Sequence, residues 1–174
     1  MPSGPHEAQP YDQPDRLQAQ LAGSPQPRAA GLPWTLGRSF KYNRIFKAII
    51  AMFKLQSLYT RKQIHKLIGG DLQSYLPHRG GRVVCGCFKT DNNPNAPKEI
   101  LVGDRVNVVK YARVFAGQVE PIPVFIKQTV NQWKYIGNYQ AVKYTEEPKE
   151  VSAKAKAAGR MGVAGVLYLQ SAKR

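Results

Sequence analysis

The sequence predicts a single α+β domain, built as a small, strongly bent sheet or β-barrel with a capped helix at its N-terminal side. A helical pattern, YTRKQIHKLIGG, stands first, and five or six strand-like segments follow it with turn residues between them. The spacing between these strands is too short for the helical crossovers of a βαβ fold. Without the N-terminal segment, whose composition differs, about 120 to 135 residues are left for this domain, which is enough for one hydrophobic core.

The first third of the chain differs in composition from the rest. Residues 1–35 are rich in Pro, Gly, Gln and Ala, which predicts a disordered tail because such a segment buries little apolar surface. Residues 36–57 are basic and have apolar residues at helical spacing, typical of an amphipathic helix or of a translated leader upstream of a true start at Met52. Residues 58–174 form the predicted globular domain.

The helix carries signals for both of its ends. Thr60 is an N-cap residue, and Gln63, three positions later, completes a capping box. Ile64, Leu67 and Ile68 form an apolar stripe, and the glycine pair 69–70 supplies the left-handed C-terminal residue.

Strand-like segments follow in order. RVVCGCF predicts a buried strand, in which Cys85 and Cys87 are expected as small buried thiols. EILVGD predicts the next strand, whereas RVNVVKYARVFAGQ fits either a strand or a helix. VFIKQ, a turn near Asn131 and WKYIGNYQAVKYT predict a hairpin. VSAKAKAAGR predicts a short helix or loop, and MGVAGVLYLQ a last strand.

The positive charge of the chain indicates the class of its partner. The formal net charge is +15, and from Met52 onward the sequence has 20 Lys or Arg against 8 Asp or Glu. An excess of 12 positive charges on the folded part is typical of a protein that binds the phosphate backbone of a nucleic acid. The alternative is a basic, soluble surface without such a partner.

The aromatic segment QWKYIGNY has two interpretations. Strict alternation places Trp133, Tyr135, Gly137 and Tyr139 on one face of a strand. These rings either fill the core or form a platform for a base. We expect Trp133 and Tyr135 in the core and Tyr139 or Tyr144 as the contact residue.

Other candidate contacts come from loops and from the helix. The loop YLPHRGGR offers a ring, an imidazole and two guanidinium groups beside glycines, and KTDNNPNAPK offers asparagines for base edges. Ordinary exposed loops are the alternative for both. The predicted nucleic-acid-binding residues are Arg61, Lys62, Tyr75, His78, Arg79, Arg82, Asn93, Lys127, Lys134, Tyr139 and Tyr144.

The sequence shows no pattern of a known catalytic site. It lacks a P-loop and a nucleophile elbow, and Phe125 stands where a carboxylate-and-lysine nuclease needs an acid before Lys127. We therefore expect no enzyme, no metal and no cofactor. The alternative is a small metal-dependent nuclease whose acids, Asp71, Asp91, Glu99 and Asp104, converge in the fold.

The pattern YTR…GG…GGRVVCGCF…NPNAP…ILVGD…PVFIK…WKYIGNY…AGR…GVLYL resembles restriction-associated domains of the PUA-like superfamily, which includes the SRA domains that read modified cytosine. The resemblance covers roughly residues 59–169. It implies a curved barrel that accepts a modified or flipped base in a concave pocket.

A partner and a location follow as expectations. We expect a non-catalytic DNA-binding module in a restriction or defence context, alone or with a nuclease partner; an RNA-binding barrel is the alternative. No secretory signal or membrane-spanning stretch is visible, so we expect a cytoplasmic protein that does not bind a membrane.

Overall fold

The structure, a computed structural model, describes residues 48 and 51–172. The tail predicted for residues 1–35 lies outside the described residues, as does most of the helix or leader predicted for residues 36–57. The described part of that segment packs on the domain. Phe53 is buried, and its ring centroid lies 5.1 to 5.5 Å from those of Tyr59, Phe125 and Tyr135.

Three helices and eight strands make up the described fold. The helices are α1 (Arg61–Ile68), α2 (Val106–Ala116) and α3 (Pro148–Ala157). The strands are β1 (Leu58–Tyr59), β2 (His78–Arg79), β3 (Arg82–Val83), β4 (Gly86–Phe88), β5 (Glu99–Gly103), β6 (Ile122–Thr129), β7 (Gln132–Thr145) and β8 (Val163–Ser171).

The main sheet is open, not closed into a barrel. Its order is β4-β6-β7-β8-β5, with β1 paired to β7, while β2 and β3 form a separate ribbon. Only β4 and β6 run parallel; the other pairs are antiparallel. The α+β class is therefore confirmed and the barrel is wrong. Closure would require β4 to pair with β5, but β4 has three residues and β5 leads directly into a helix.

Helices cover both faces of the sheet. Ala112 and Phe115 of α2 pack with Ile100, Val124 and Leu167 on one face. On the other face, α1 covers one end and α3 the other, each with a smaller cluster. The cluster under α1 consists of Phe53, Ile64, Ile68, Val84, Cys85, Cys87, Phe125, Trp133 and Tyr135, and the cluster under α3 consists of Leu101, Val151 and Val166. Cys85 and Cys87 are buried free thiols, as predicted.

A β-bulge changes which face the aromatic residues of β7 occupy. Val124 pairs with Gly137 but Phe125 pairs with Tyr135, so Ile136 is an extra residue, and Gly137 has φ +117°. Trp133 and Tyr135 therefore pack with the α1 cluster, whereas Tyr139 packs against the α2 cluster. The predicted single face is wrong, but the core position of Trp133 and Tyr135 is confirmed.

Local signals at two other elements have clear outcomes. The capping box of α1 is present, with Thr60 Oγ1 accepting from the Gln63 N–H and Gln63 Oε1 accepting from the Thr60 N–H. The segment that fitted a strand or a helix is α2, because Val109, Ala112 and Phe115 recur at helical spacing and face the sheet.

Candidate nucleic-acid interface

A large groove lies where four connections of the chain approach the end of the sheet. These are the loop after α1, the loop between β4 and β5, the turn from β5 into α2, and the loop before β8. The groove has a volume of about 1180 Å³. Five cations and two carboxylates line it, which gives a net charge of +3. We call it the basic groove; its charged residues are Arg61, Asp71, Lys89, Asp104, Arg105, Lys127 and Arg160.

Three cations of the basic groove have no partner among the residues that the structure describes. The side chains of Lys89, Arg105 and Lys127 form neither an ion pair nor a hydrogen bond there, whereas Arg61 and Arg160 bond to backbone carbonyls. Lys89 and Lys127 directly follow the registered pair Phe88 and Ile126 of the parallel strands, so they are neighbours across two strands. Like charges in such positions repel each other, and an external anion between them would remove that cost.

The N-terminus of α2 opens into the same groove. Arg105 occupies the N-cap position without a side-chain hydrogen bond, and no acidic residue lies in the first turn. Val106 and Asn107, the first two residues of the helix, line the groove. The free N–H groups and the positive end of the helix dipole favour an anion here, and Arg105 adds a further positive charge.

The two remaining arginines of the groove hold its walls together. Arg61 donates to the carbonyl oxygens of Asp71, Leu72 and Ser74, and its guanidinium lies 5.4 Å from the Trp133 ring centroid. Arg160 Nη1 donates to the carbonyl oxygens of Asn92 and Leu101. Burial lowers the pKa of Arg160 below its usual value. Both side chains fix loops whose positions define the groove.

An imidazole and a carboxylate meet at one wall. The Nδ1 atom of His78 lies 3.4 Å from Oδ2 of Asp71. The His78 ring stacks on Tyr111, with centroids 3.4 Å apart and planes inclined by 16°. These three residues come from the loop after α1, from β2 and from α2, so the wall exists only in the folded chain.

Two further predicted contact residues line the groove, but their side chains form hydrogen bonds with backbone groups. Asn93 is 5% exposed, and its side-chain amide bonds to the Lys89 carbonyl and to the Leu101 N–H. Tyr75 Oη donates to the Val108 carbonyl, and burial raises the pKa of Tyr75 well above its usual range. Both observations favour structural roles for these side chains.

The eleven predicted site residues fall into two groups. Five of them line the basic groove: Arg61, Tyr75, His78, Asn93 and Lys127. Six do not: Lys62, Arg79, Arg82, Lys134, Tyr139 and Tyr144.

Three residues of the second group have other surroundings. Arg82 pairs with Glu120. Tyr139 and Tyr144 pack against the α2 cluster. Burial raises the pKa of Tyr144 to about 12, and its hydroxyl donates to Glu146. Contact with nucleic acid remains a prediction for both groups.

Sequence reasoning missed several residues of the groove as contacts, namely Lys89, Arg105, Tyr111 and Arg160. The sequence does contain a signal for Arg105: this basic residue stands directly before the segment 106–116, and the first turn of that segment has no acidic residue. It becomes visible only once that segment is assigned as a helix. Lys89 has no such local signal, since its neighbour Lys127 is distant in the chain.

The four acids proposed for a nuclease lie in three different places. Asp71 and Asp104 line the basic groove, Asp91 lines a neighbouring cavity of about 220 Å³, and Glu99 pairs with Lys154. Within the described part of the chain, no three His, Cys, Asp or Glu side chains come together as ligands for a metal ion.

Among residues 48 and 51–172, no helix has both the length and the apolar character needed to cross a membrane.

Comparisons with known proteins give one family and one structural likeness. No curated protein matches the chain. A solved structure titled "Modification dependent TagI restriction endonuclease" is similar to this chain with 15% sequence identity and a TM-score of 0.44. The match covers 72% of this chain and 51% of that one, so this chain spans about half the length of the endonuclease chain. A family model matches residues 58–157, more than half of the chain. The protein therefore belongs to DUF6697, a family described as a domain of unknown function.

Proposed function

We propose that this protein binds nucleic acid through the basic groove, and that DNA is its preferred partner. The observation that carries the proposal is the electrostatic state of the groove. It has a net charge of +3, three cations whose side chains have no ion pair or hydrogen bond among the described residues, and a helix N-terminus without a side-chain cap at its wall. Phosphate oxygens supply the missing negative charge at each of these positions.

The groove offers two places for phosphates. Lys89 and Lys127 flank one, where a phosphate removes the repulsion between two neighbouring ammonium groups. Arg105 and the first turn of α2 form the other, where the dipole and the backbone N–H groups act together. An open groove lined in this way suits an extended phosphate backbone better than a small enclosed ligand.

The finer proposal concerns a base rather than the backbone. The resemblance to domains that read modified cytosine suggests that the groove accepts a modified or flipped base in a restriction or defence context, without catalysing a reaction. The stacked pair of His78 and Tyr111 supplies a flat aromatic wall for such a base.

Fluorescence polarisation of the full chain tests the proposal. The panel contains unmodified, methylated and hydroxymethylated duplexes, single-stranded DNA and structured RNA, each measured at 50 and 200 mM salt. With about four phosphate contacts, we expect affinity to fall on the order of 100-fold over this range. A preference of at least tenfold, about 1.4 kcal/mol, for one modified duplex identifies a base reader.

Other outcomes of the same panel would overturn parts of the proposal. Tighter binding to structured RNA than to every DNA rejects DNA as the preferred partner. Equal affinity for modified and unmodified duplexes rejects the modified base and leaves a phosphate-backbone binder. No binding at 50 mM salt rejects the function itself.

A further inference from the structure

The loop that follows α1 holds Asp71 in a fixed orientation. Oδ1 of Asp71 accepts hydrogen bonds from the backbone N–H groups of Gln73 and Ser74. Oδ2 then faces Nδ1 of His78 at 3.4 Å. Both of these facing atoms are shielded from solvent, and neither makes a hydrogen bond with any residue that the structure describes, so the 3.4 Å contact between them is an electrostatic one.

The imidazole of His78 is also held on its flat side and through its backbone. Its ring lies on Tyr111, with a centroid distance of 3.4 Å, and its backbone pairs with Val83 in the short ribbon of β2 and β3. The side chain remains 31% exposed and lines the basic groove. Since Nδ1 is the shielded nitrogen, Nε2 is the nitrogen available to a ligand.

Carboxylate chemistry fixes which nitrogen carries the hydrogen in the neutral ring. An ionised carboxylate only accepts hydrogen bonds, so the nitrogen that faces Asp71 must donate. The neutral imidazole has one donor and one acceptor nitrogen, and the partner of one nitrogen sets the state of the other. With Nδ1 protonated toward Asp71, Nε2 presents a lone pair to the groove.

We propose that Asp71 locks His78 in the Nδ1–H tautomer, so that Nε2 accepts a hydrogen bond from the exocyclic amino group of an adenine or cytosine in the groove. The 6-amino group of adenine and the 4-amino group of cytosine are donors, whereas the corresponding oxygens of guanine and thymine are acceptors that a lone pair repels. This inference rests on the proposed function and names the bases that the groove selects. His78 touches the base, and Asp71 is a positioning residue.

One substitution reverses the predicted tautomer with little change in shape. In Asp71→Asn the two N–H groups of Gln73 and Ser74 still require an oxygen at the Oδ1 position. The amide nitrogen must then face His78 and donate to Nδ1, which leaves the hydrogen on Nε2. The variant therefore keeps the loop and the stacked ring but presents a donor to the groove.

The experiment compares adenine with purine, the same ring system without the amino group, at the central positions of matched DNA probes. Probes are single strands and duplexes, and the full chain is titrated at 50 mM salt by fluorescence polarisation. We expect the unsubstituted protein to bind adenine about threefold to tenfold more tightly, the effect of one net hydrogen bond. In Asp71→Asn we expect the ratio to fall to one or below, with the same salt dependence. His78→Phe, which keeps a ring on Tyr111 and removes both nitrogens, should give a ratio of one.

The tautomer has its own readout, independent of any ligand. Long-range proton–nitrogen NMR spectra of the protein should show His78 protonated at Nδ1 at pH 8, and at Nε2 in Asp71→Asn. An Nε2-protonated ring in the unsubstituted protein overturns the inference.

Equal, salt-sensitive affinity for adenine and purine also overturns the inference but leaves the proposed phosphate-binding groove standing. Absence of binding to every probe instead rejects the proposed function on which it rests. DNA probes exclude the ribose 2′-hydroxyl as the donor.

Discussion

The N-termini of α2 and α3 satisfy their positive charge in opposite ways. At α3 the carboxylate of Glu147 accepts from the N–H groups of Lys149 and Glu150, so the helix brings its own anion. At α2 the equivalent position is Arg105, which makes no side-chain cap, and the first turn has no acid. One helix start is complete within the chain, whereas the other has room for an anion from outside.

Cations around the two helices follow the same division. Near α3, Lys143 pairs with Glu150 and Lys154 with Glu99, while Arg113 binds Glu146 through two hydrogen bonds. In the basic groove, Lys89, Arg105 and Lys127 have no ion pair among the described residues. The three cations named near α3 are therefore neutralised by carboxylates of the described chain, whereas the three named in the groove are not.

Removing Lys89, Arg105 and Lys127 should have the largest effect on binding. Lys89→Gln, Arg105→Gln and Lys127→Gln together delete three of the proposed phosphate contacts, so we expect DNA affinity at 100 mM salt to fall on the order of 100-fold and the salt dependence to flatten. The chain offers a matched control, Arg113→Gln with Lys143→Gln and Lys154→Gln, which removes the same residue types and the same charge. Thermal melting of both variants checks that each is folded. Equal losses in the two variants would show that net charge, not the groove, drives binding.

Giving α2 its own anion should weaken binding and stabilise the fold. Arg105→Asp places a carboxylate at the N-cap, which contributes about 1 kcal/mol to helix stability. It also removes a cation and repels phosphate, so we expect DNA affinity to fall on the order of tenfold. Urea unfolding and polarisation measure the two effects. Arg105→Gln, which removes the charge without adding a strong cap, should weaken binding less and leave stability unchanged.

The reverse change at α3 should affect stability alone. Glu147→Ala removes the side-chain cap from two N–H groups, and we expect the free energy of unfolding to fall by about 1 kcal/mol. DNA affinity should stay within twofold, since Glu147 does not line the groove. A large gain in affinity in this variant would mean that the start of α3 is a phosphate site in its own right.

Local features of the fold could be predicted from the sequence, and nonlocal ones could not. The capping box of α1 needs only Thr60 and Gln63, which are three residues apart, and it is present. The bulge in β7 had a signal in the lone Gly137, but alternation alone did not reveal that Tyr139 changes face. The open sheet had no local signal, because strand order depends on pairing between distant segments.

The same distinction explains the site. His78, Arg61 and Lys127 were predicted from residue type and lie on the groove. Lys89 becomes the neighbour of Lys127 only because β4 pairs with β6, with β5 and α2 lying between them in the chain. The wall formed by His78 on Tyr111 likewise joins a short ribbon to a helix. Charge composition predicted a phosphate binder, but it did not show which cations lack a partner among the described residues.

The smallest expected effect concerns the pH dependence of the paired region. Hydrogen bonds from Arg113 and from Tyr144 lower the pKa of Glu146, and hydrogen bonds from Lys143 and from Tyr168 lower that of Glu150. A carboxylate with a lowered pKa in the folded state stabilises the fold above its unfolded pKa, near 4.3. This contribution is lost as the pH falls through the folded pKa.

Urea unfolding of the unsubstituted protein and of Glu146→Gln with Glu150→Gln tests this pH dependence. The unsubstituted protein should be the more stable at pH 7, and the difference should shrink as the pH falls through the folded pKa of the two carboxylates. The difference should be modest because exposed ion pairs contribute little. A difference that does not shrink as the pH is lowered would mean that packing or neutral hydrogen bonds, not charge, hold these pairs together. The region near α3 would then differ from the basic groove in how its side chains pack, and not in whether its charges are neutralised.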